Sequence, residues 1–185
     1  MGPKRGLQVA RVSGMEKTLD VLNELEENQV IERYAIGGGI AVTYHAEPML
    51  TYDLDAFVLL PQASGKIISL SGIYEYLRAK KFPAHREHIM IHGHPVQFIP
   101  AYNALVEEAV RTAQAVSYRK VRTRIVRAEH LVAILFQTDR PKDRIRVALL
   151  LEQAAIDRKK LQAILKRHGL MSRWKEFSRE NRYEA

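Results

Sequence analysis

The chain's 185 residues suffice for one domain with a substantial core and fall short of two full ones. With 46% hydrophobic and 27% charged residues it is too apolar for a disordered chain, and the lack of cysteine excludes disulfides, thiolate metal sites and cysteine nucleophiles. The formal charge of +8 is lopsided, since residues 1–117 hold 11 Lys and Arg against 13 Asp and Glu while residues 118–185 hold 18 against 8. That asymmetry turns the C-terminal third toward an anionic partner such as phosphate, nucleic acid or an acidic protein, or else reflects solvated helix faces. No apolar run is long enough to span a bilayer, and the basic start "MGPKRGLQVARVSG" lacks an apolar signal core, so a cytoplasmic protein is expected.

Leu19, Leu22 and Leu25 recur at helical spacing and predict a helix from about Met15 to Gln29. "ERYAIGGG" reads as a short strand running into a glycine turn, "IAVTYHA" as the helix after it, and "DLDAFVLLP" as a central strand stopped by Pro61. "SLSGIYEYLRAKKF" predicts a helix with Ile73, Tyr76 and Leu77 on one face, and "REHIMIHGHPVQFIP" a hairpin turning at Gly93. "AYNALVEEAVRTAQAV" predicts one helix, with Leu105, Ala109 and Ala113 in line, and "YRKVRTRIVR" a strand in which Val121, Thr123 and Ile125 alternate with Arg122 and Arg124. From Glu129 onward the pattern is helical, with Pro141 placed to open a new helix. The order predicts an α/β (α+β) core over 15–127, a C-terminal helical region over 128–185 and a flexible basic N-terminus over 1–14.

Two features within "YAIGGGIAVTYHAEPMLTYDLDAFVLLP" carry chemistry. Asp53 and Asp55, at i and i+2 on a strand, point to one face, and two carboxylates held that close repel unless a cation lies between them. Hard cations such as Mg²⁺ take carboxylate and phosphate oxygens. Gly37, Gly38 and Gly39 open a helix N-terminus whose backbone N–H groups favour an anion. A phosphate cradle and a metal clamp separated by one helix describe a nucleotide site.

The same stretch resembles the signature of the DNA polymerase β-type nucleotidyltransferase superfamily, in which paired small residues at a strand–helix turn precede D-x-D. It is more similar to the minimal bacterial branch that includes abortive-infection toxin nucleotidyltransferases. "AEHLVAILFQTDRPKDRIRVALLLE" resembles that branch's later helical motif. The resemblance implies a small mixed sheet flanked by helices, with a C-terminal helical extension. It also implies Mg²⁺-dependent transfer from an NTP to a hydroxyl on RNA or protein, and an antitoxin partner. On it, Asp53 and Asp55 would bind Mg²⁺; Gly37, Gly38 and Gly39, with Arg140, Lys142 and Arg144 as cations, would hold the triphosphate. Asp143 would orient one of those cations.

Two positions depart from the pattern. The third carboxylate of the superfamily aligns with Gln97, which is neither a base nor a strong Mg²⁺ ligand, and Leu135 or Phe136 stands where relatives often carry a lysine. A catalytically impaired binding module is therefore the alternative expectation, with Glu107, Glu108 and Glu129 as possible substitutes for the missing carboxylate. A basic RNA-binding domain, dependent on arginines rather than aspartates, is a third.

His88, His92 and His94 share strand parity but flank a glycine turn, which predicts solvated turn histidines rather than a zinc cluster. His45 either touches a ligand or caps its helix. Arg119, Lys120, Arg122, Arg124 and Arg127 form either a phosphate track or the charged guard of an edge strand. Tyr118 and Trp174 are single aromatics rather than a stacking platform, and Leu161, Ile164 and Leu165 are expected in packing.

Overall fold

The computed structural model describes residues 14–47, 51, 53–61 and 69–181. Residues 1–13 of the expected basic N-terminus lie outside the described residues. In chain order the elements are α1 (Met15–Glu27), β1 (Arg33–Ile36), α2 (Gly38–His45), β2 (Leu54–Leu59), α3 (Ser71–Ala79), β3 (Ala84–His85), β4 (His88–Ile91), β5 (His94–Pro100), α4 (Ala104–Arg111), β6 (Gln114–Tyr118), β7 (Val121–Ile125), α5 (Ala128–Thr138), α6 (Pro141–Gln153), α7 (Arg158–Arg167) and α8 (Met171–Asn181). The strands form a mixed sheet in the order β3-β4-β5-β2-β1-β7-β6, an α/β architecture as the sequence predicts.

Strand pairing follows chain geometry. β1 and β2 are antiparallel, while β2 with β5 and β1 with β7 are parallel and therefore need long crossovers. β4 and β5 close with a two-residue turn in which His92 (φ 48°) and Gly93 (φ 87°) both take positive φ, the geometry that matches hairpin twist. β2 lies at the centre of the sheet, and its Ala56, Phe57, Val58 and Leu59 are buried.

The helices bury the faces their spacing predicts. Leu19, Leu22 and Leu25 of α1 are fully buried, and Arg124 on β7 pins that helix through Glu26, 2.6 Å away. α5 is apolar nearly all round, burying His130 and the run from Leu131 to Phe136, and packs against α2, α4, α6 and α7. Phe136 anchors α8 by edge contacts to Trp174 and Phe177, with ring centroids 6.0 and 5.3 Å apart. One hydrophobic core runs from Met15 to Phe177, and Leu161, Ile164 and Leu165 of α7 belong to it.

One predicted element is corrected. The helix expected through Val116 ends at Arg111, and Gln114–Tyr118 pairs with β7 as β6. Its burial alternates with period two, which the helical alignment of Ala109 and Ala113 concealed. The arginine series is also largely structural. Arg119 pairs with Glu16 at 2.6 Å, Arg124 with Glu26, and Arg127 donates to the Thr112 carbonyl at 2.8 Å. β7 is not an edge strand, because β6 covers it.

Candidate active site

The glycine turn brings β2 against the N-terminus of α2. The Gly37 N–H donates to the Asp55 carbonyl at 2.9 Å. Gly38 has φ +52°, and a Cβ there would lie 1.6 Å from Asp55 Oδ2. A Cβ on Gly37 would meet the Phe57 ring at 2.0 Å, and one on Gly39 the Thr51 hydroxyl at 2.5 Å. The missing side chains thus let a carboxylate sit on a helix end whose first turn has no side-chain cap, where backbone N–H groups favour negative charge.

Asp55 carries an uncompensated charge. Burial first, then the neighbouring Asp53, pushes its carboxyl up to about 6, even though Arg146, Lys142 and Arg140 all pull it down. Asp53 is far more open, with a side chain 42% exposed, and His88 Nε2 lies 3.8 Å from its Oδ2. In the parallel pairing of β2 with β5, Gln97 stands directly opposite Asp55. The amide therefore occupies the strand position beside the aspartate.

The cations come from the start of α6. Asp143, fully buried, accepts from Arg140 Nε at 2.8 Å, from the Arg140 backbone at 3.2 Å and from the Thr138 hydroxyl at 2.7 Å. Burial would raise its carboxyl, but these hydrogen bonds outweigh it and hold it below the usual range. Asp143 thereby fixes both the cap of α6 and the Arg140 side chain, with Pro141 opening the helix. Arg144 does not join this group, being paired with Asp139 at 3.1 Å and Glu180 at 3.3 Å. Arg146 takes its place. Its side chain is only 15% exposed and lies 3.5 Å from where a Gly39 Cβ would be and 3.8 Å from Asp143 Oδ1. Helical spacing held the clue, since Lys142 and Arg146 are four apart and share a face while Arg144 does not. Tyr102, 49% exposed, also stands close enough to feel the Arg140 charge.

The glutamates named as substitutes are engaged elsewhere. Glu107 pairs with Arg111 at 3.0 Å, Glu129 accepts from the Asp157 N–H at 3.0 Å, and Glu108 binds His130, Arg167 and His168. Leu135 and Phe136 are core residues.

The turn histidines are not uniformly solvated. His94 is buried, with Nδ1 3.0 Å from the Thr18 hydroxyl; His92 packs edge-on to Phe82; His88 faces Asp53. The close approach of Gly14 and Thr18, at the start of α1, covers His94, which strand parity alone did not reveal. His45 ends α2 and bonds the Val126 carbonyl at 2.8 Å, its burial holding the ring below its ordinary pKa. It lines a cavity of about 410 Å³ at the C-terminal end of α2 with Tyr44, Gln114, Arg127 and Glu129. That cavity holds none of the glycines or aspartates, which lie at the other end of the helix. Tyr118 and Trp174 are both buried, so neither offers a stacking face.

Neither a protein-family model nor a curated protein sequence matches the chain. Solved structures do. An antigenic nucleotidyltransferase-like protein from Paracoccidioides brasiliensis is similar at TM-score 0.51 and 14% identity, over 87% of this chain and 92% of that one. The antibiotic-resistance factor ANT(2'')-Ia is similar at TM-score 0.51 and 15% identity, over 94% of this chain and 100% of that one. The chain therefore has a nucleotidyltransferase-like fold.

Proposed function

We propose that the protein is a divalent-metal-dependent nucleotidyltransferase that moves a nucleotidyl group from an NTP to a hydroxyl on an RNA or protein acceptor. The observation that carries this reading is Asp55, a buried carboxylate seated over Gly38, beside a second aspartate, with its charge uncompensated by three nearby cations. A donor set of that kind fits a divalent cation such as Mg²⁺, which Asp53 and Asp55 would hold. When bound, the ion supplies charge neutralisation at the phosphates.

The chain's own residues do the rest. The open first turn of α2 and the side chains of Lys142 and Arg146 orient the triphosphate, while Arg140, held by Asp143, adds positive charge at the same mouth. The acceptor oxygen attacks the α-phosphorus, the bond to pyrophosphate breaks, and the hydroxyl proton leaves to solvent. Positioning and electrostatics are the expected protein contribution to such a transfer. A toxin role opposite a cognate antitoxin in the cytoplasm is the finer form of this proposal, supported by the sequence resemblance.

Gln97, opposite Asp55 in register, favours a second reading as a binding module that has lost catalysis. Incubation with each labelled NTP, Mg²⁺ or Mn²⁺ and cell extract separates the two. Label transfer absent from an Asp53→Ala, Asp55→Ala variant supports the enzyme. Metal-dependent NTP binding without transfer supports the module; if neither is seen, salt-sensitive RNA binding that survives the double substitution overturns both.

A further inference from the structure

The cavity at the far end of α2 collects the ends of three helices. α2 and α6 reach it by their C-terminal turns, which bring Tyr44, His45 and Gln153, and α5 reaches it by its N-terminus, which brings Arg127, Ala128 and Glu129. Its volume of about 410 Å³ falls within the roughly 300–1,000 Å³ typical of small-molecule sites. Of its lining, Ala128 is buried whereas Arg127 and Ala155 are exposed, so it opens to solvent. Charge inside it is divided. Helix N-termini present positive and C-termini negative partial charge, so the end of α5 opposes the ends of α2 and α6. Arg127 donates through Nε to the Thr112 carbonyl at 2.8 Å, and Glu129 accepts from the Asp157 N–H at 3.0 Å, but among the described residues neither forms an ion pair. His45 feels both of these charges, in opposite directions, and burial keeps its ring neutral. Its Nε2 faces the Val126 carbonyl, which can only accept, so Nε2 carries the proton and Nδ1 is left as an acceptor. Tyr44 packs edge-on to His45 with ring centroids 5.0 Å apart, which gives the cavity an aromatic wall.

We propose that this cavity binds a small zwitterion of the α-amino-acid class, its carboxylate held by Arg127 and the first-turn N–H groups of α5 and its ammonium by Glu129 and His45 Nδ1. No side chain caps α5, so its first N–H groups are open to a ligand. A simple anion would meet Glu129 and two negative helix ends, and a simple cation would meet Arg127 and the positive end of α5. A ligand that carries both charges satisfies both poles. The Tyr44 and His45 rings suit an apolar or aromatic side chain on it. The inference is independent of the nucleotide reading, whose glycines and cations lie at the opposite ends of α2 and α6.

The test is titration of the isotope-labelled full chain with glycine, glutamine and phenylalanine, and with N-acetylphenylalanine and phenylalaninamide, which each lack one charge. Phenylalanine is expected to shift the Ala128 and Glu129 backbone amide resonances saturably, and each analogue to bind about tenfold more weakly or worse. Arg127→Gln is expected to weaken phenylalanine binding by about tenfold and to leave phenylalaninamide unchanged. Glu129→Gln does the reverse, sparing N-acetylphenylalanine. Arg127→Lys keeps the charge and stays within about threefold of the wild type. This crossed pattern separates charge recognition from a loosened fold, which circular dichroism checks in each variant. The proposal is overturned by any of three results: no saturable shift with any of the three amino acids, analogues that bind as tightly as phenylalanine, or substitutions that weaken every ligand alike.

Discussion

Asp55 and Glu108 are both carboxylates drawn against the core, and the protein treats them in opposite ways. Burial alone would raise each of them. At Glu108 the hydrogen bonds from His168, His130 and Arg167, together with the Arg167 charge, overcome burial and bring the carboxyl down to about 2. At Asp55 the nearest charge is another carboxylate, and three cations at longer range leave it at about 6. Glu108 is a joint: it ties α4 to α5 through His130 at 3.2 Å and to the end of α7 through Arg167 at 2.6 Å and His168 at 2.8 Å. Its valences are filled by the protein itself. Asp55 is left unfilled at the mouth of a helix, which is why the proposed ion is assigned there.

The largest effect expected from this contrast is on Asp55. Asp55→Asn should reduce labelled-nucleotide transfer by about 10³-fold or more, equivalent to ~4 kcal/mol of transition-state stabilisation. The same change should raise the melting temperature of the metal-free protein at pH 7.5. A carboxyl moved from 3.8 to about 6 costs the folded state on the order of 3 kcal/mol once ionised. That cost is absent below pH ~4, grows as pH rises to ~6 and is constant above, so scans across that window check the sign. A wild type more stable than Asp55→Asn in metal-free buffer at pH 7.5 would break the comparison.

Gly38→Ala comes next, because it forces a side chain into the space of the Asp55 carboxylate at a backbone φ of +52°. A loss of roughly 2–3 kcal/mol is expected by denaturant titration. Gly72, with nothing within 4 Å of its added Cβ, is the control, and Gly72→Ala in the first turn of α3 should be neutral or stabilising by up to ~1 kcal/mol.

Glu108→Gln should remove about 2 kcal/mol at neutral pH, allowing for solvent screening at the half-exposed Arg167. Here the folded carboxyl sits below its ordinary 4.5, so the stabilisation is complete above that pH and fades as pH falls toward about 2. Wild type and variant should converge in acid, as in the Asp55 pair, but from the opposite side, since here the wild type is the more stable at neutral pH. Convergence at neutral pH instead would mean that the joint contributes nothing.

Much of this contrast was legible in the sequence on one side only. The D-x-D pair and the glycines are local in the chain, so periodicity and side-chain chemistry drew Asp53, Asp55 and Gly38 into one candidate site, although their contact at the N-terminus of α2 came only from the structure. Asp143 as an orienting residue came from the resemblance of the later helical motif, and its partners Arg140 and Thr138 lie three and five residues away. Glu108 was invisible as a joint, because its partners lie 22, 59 and 60 residues away and meet it only after α5 and α7 pack. β6 was misread because a short alternating strand followed a helix whose apolar spacing ran on by chance through Ala113. His88 reaches Asp53 only through the pairing of β4, β5 and β2, an order that local patterns do not encode.

The smallest expected effects distinguish the cations. Arg146 is largely covered and bears on Asp55, whereas Arg144 is half exposed and already satisfied by Asp139 and Glu180. Arg146→Ala should weaken NTP binding by about tenfold, ~1.4 kcal/mol, because on the proposed reading it removes a largely covered charge beside the first turn of α2, where the phosphates would sit. Arg144→Ala should change NTP affinity less than about twofold, since exposed ion pairs contribute ~0–1 kcal/mol and this one faces α8 rather than the site. Isothermal titration with a non-hydrolysable NTP reads both, at low and moderate salt. If Arg144 proved the more important of the two, α6 would have to present its opposite face to the nucleotide, and Lys142 would leave the site together with Arg146.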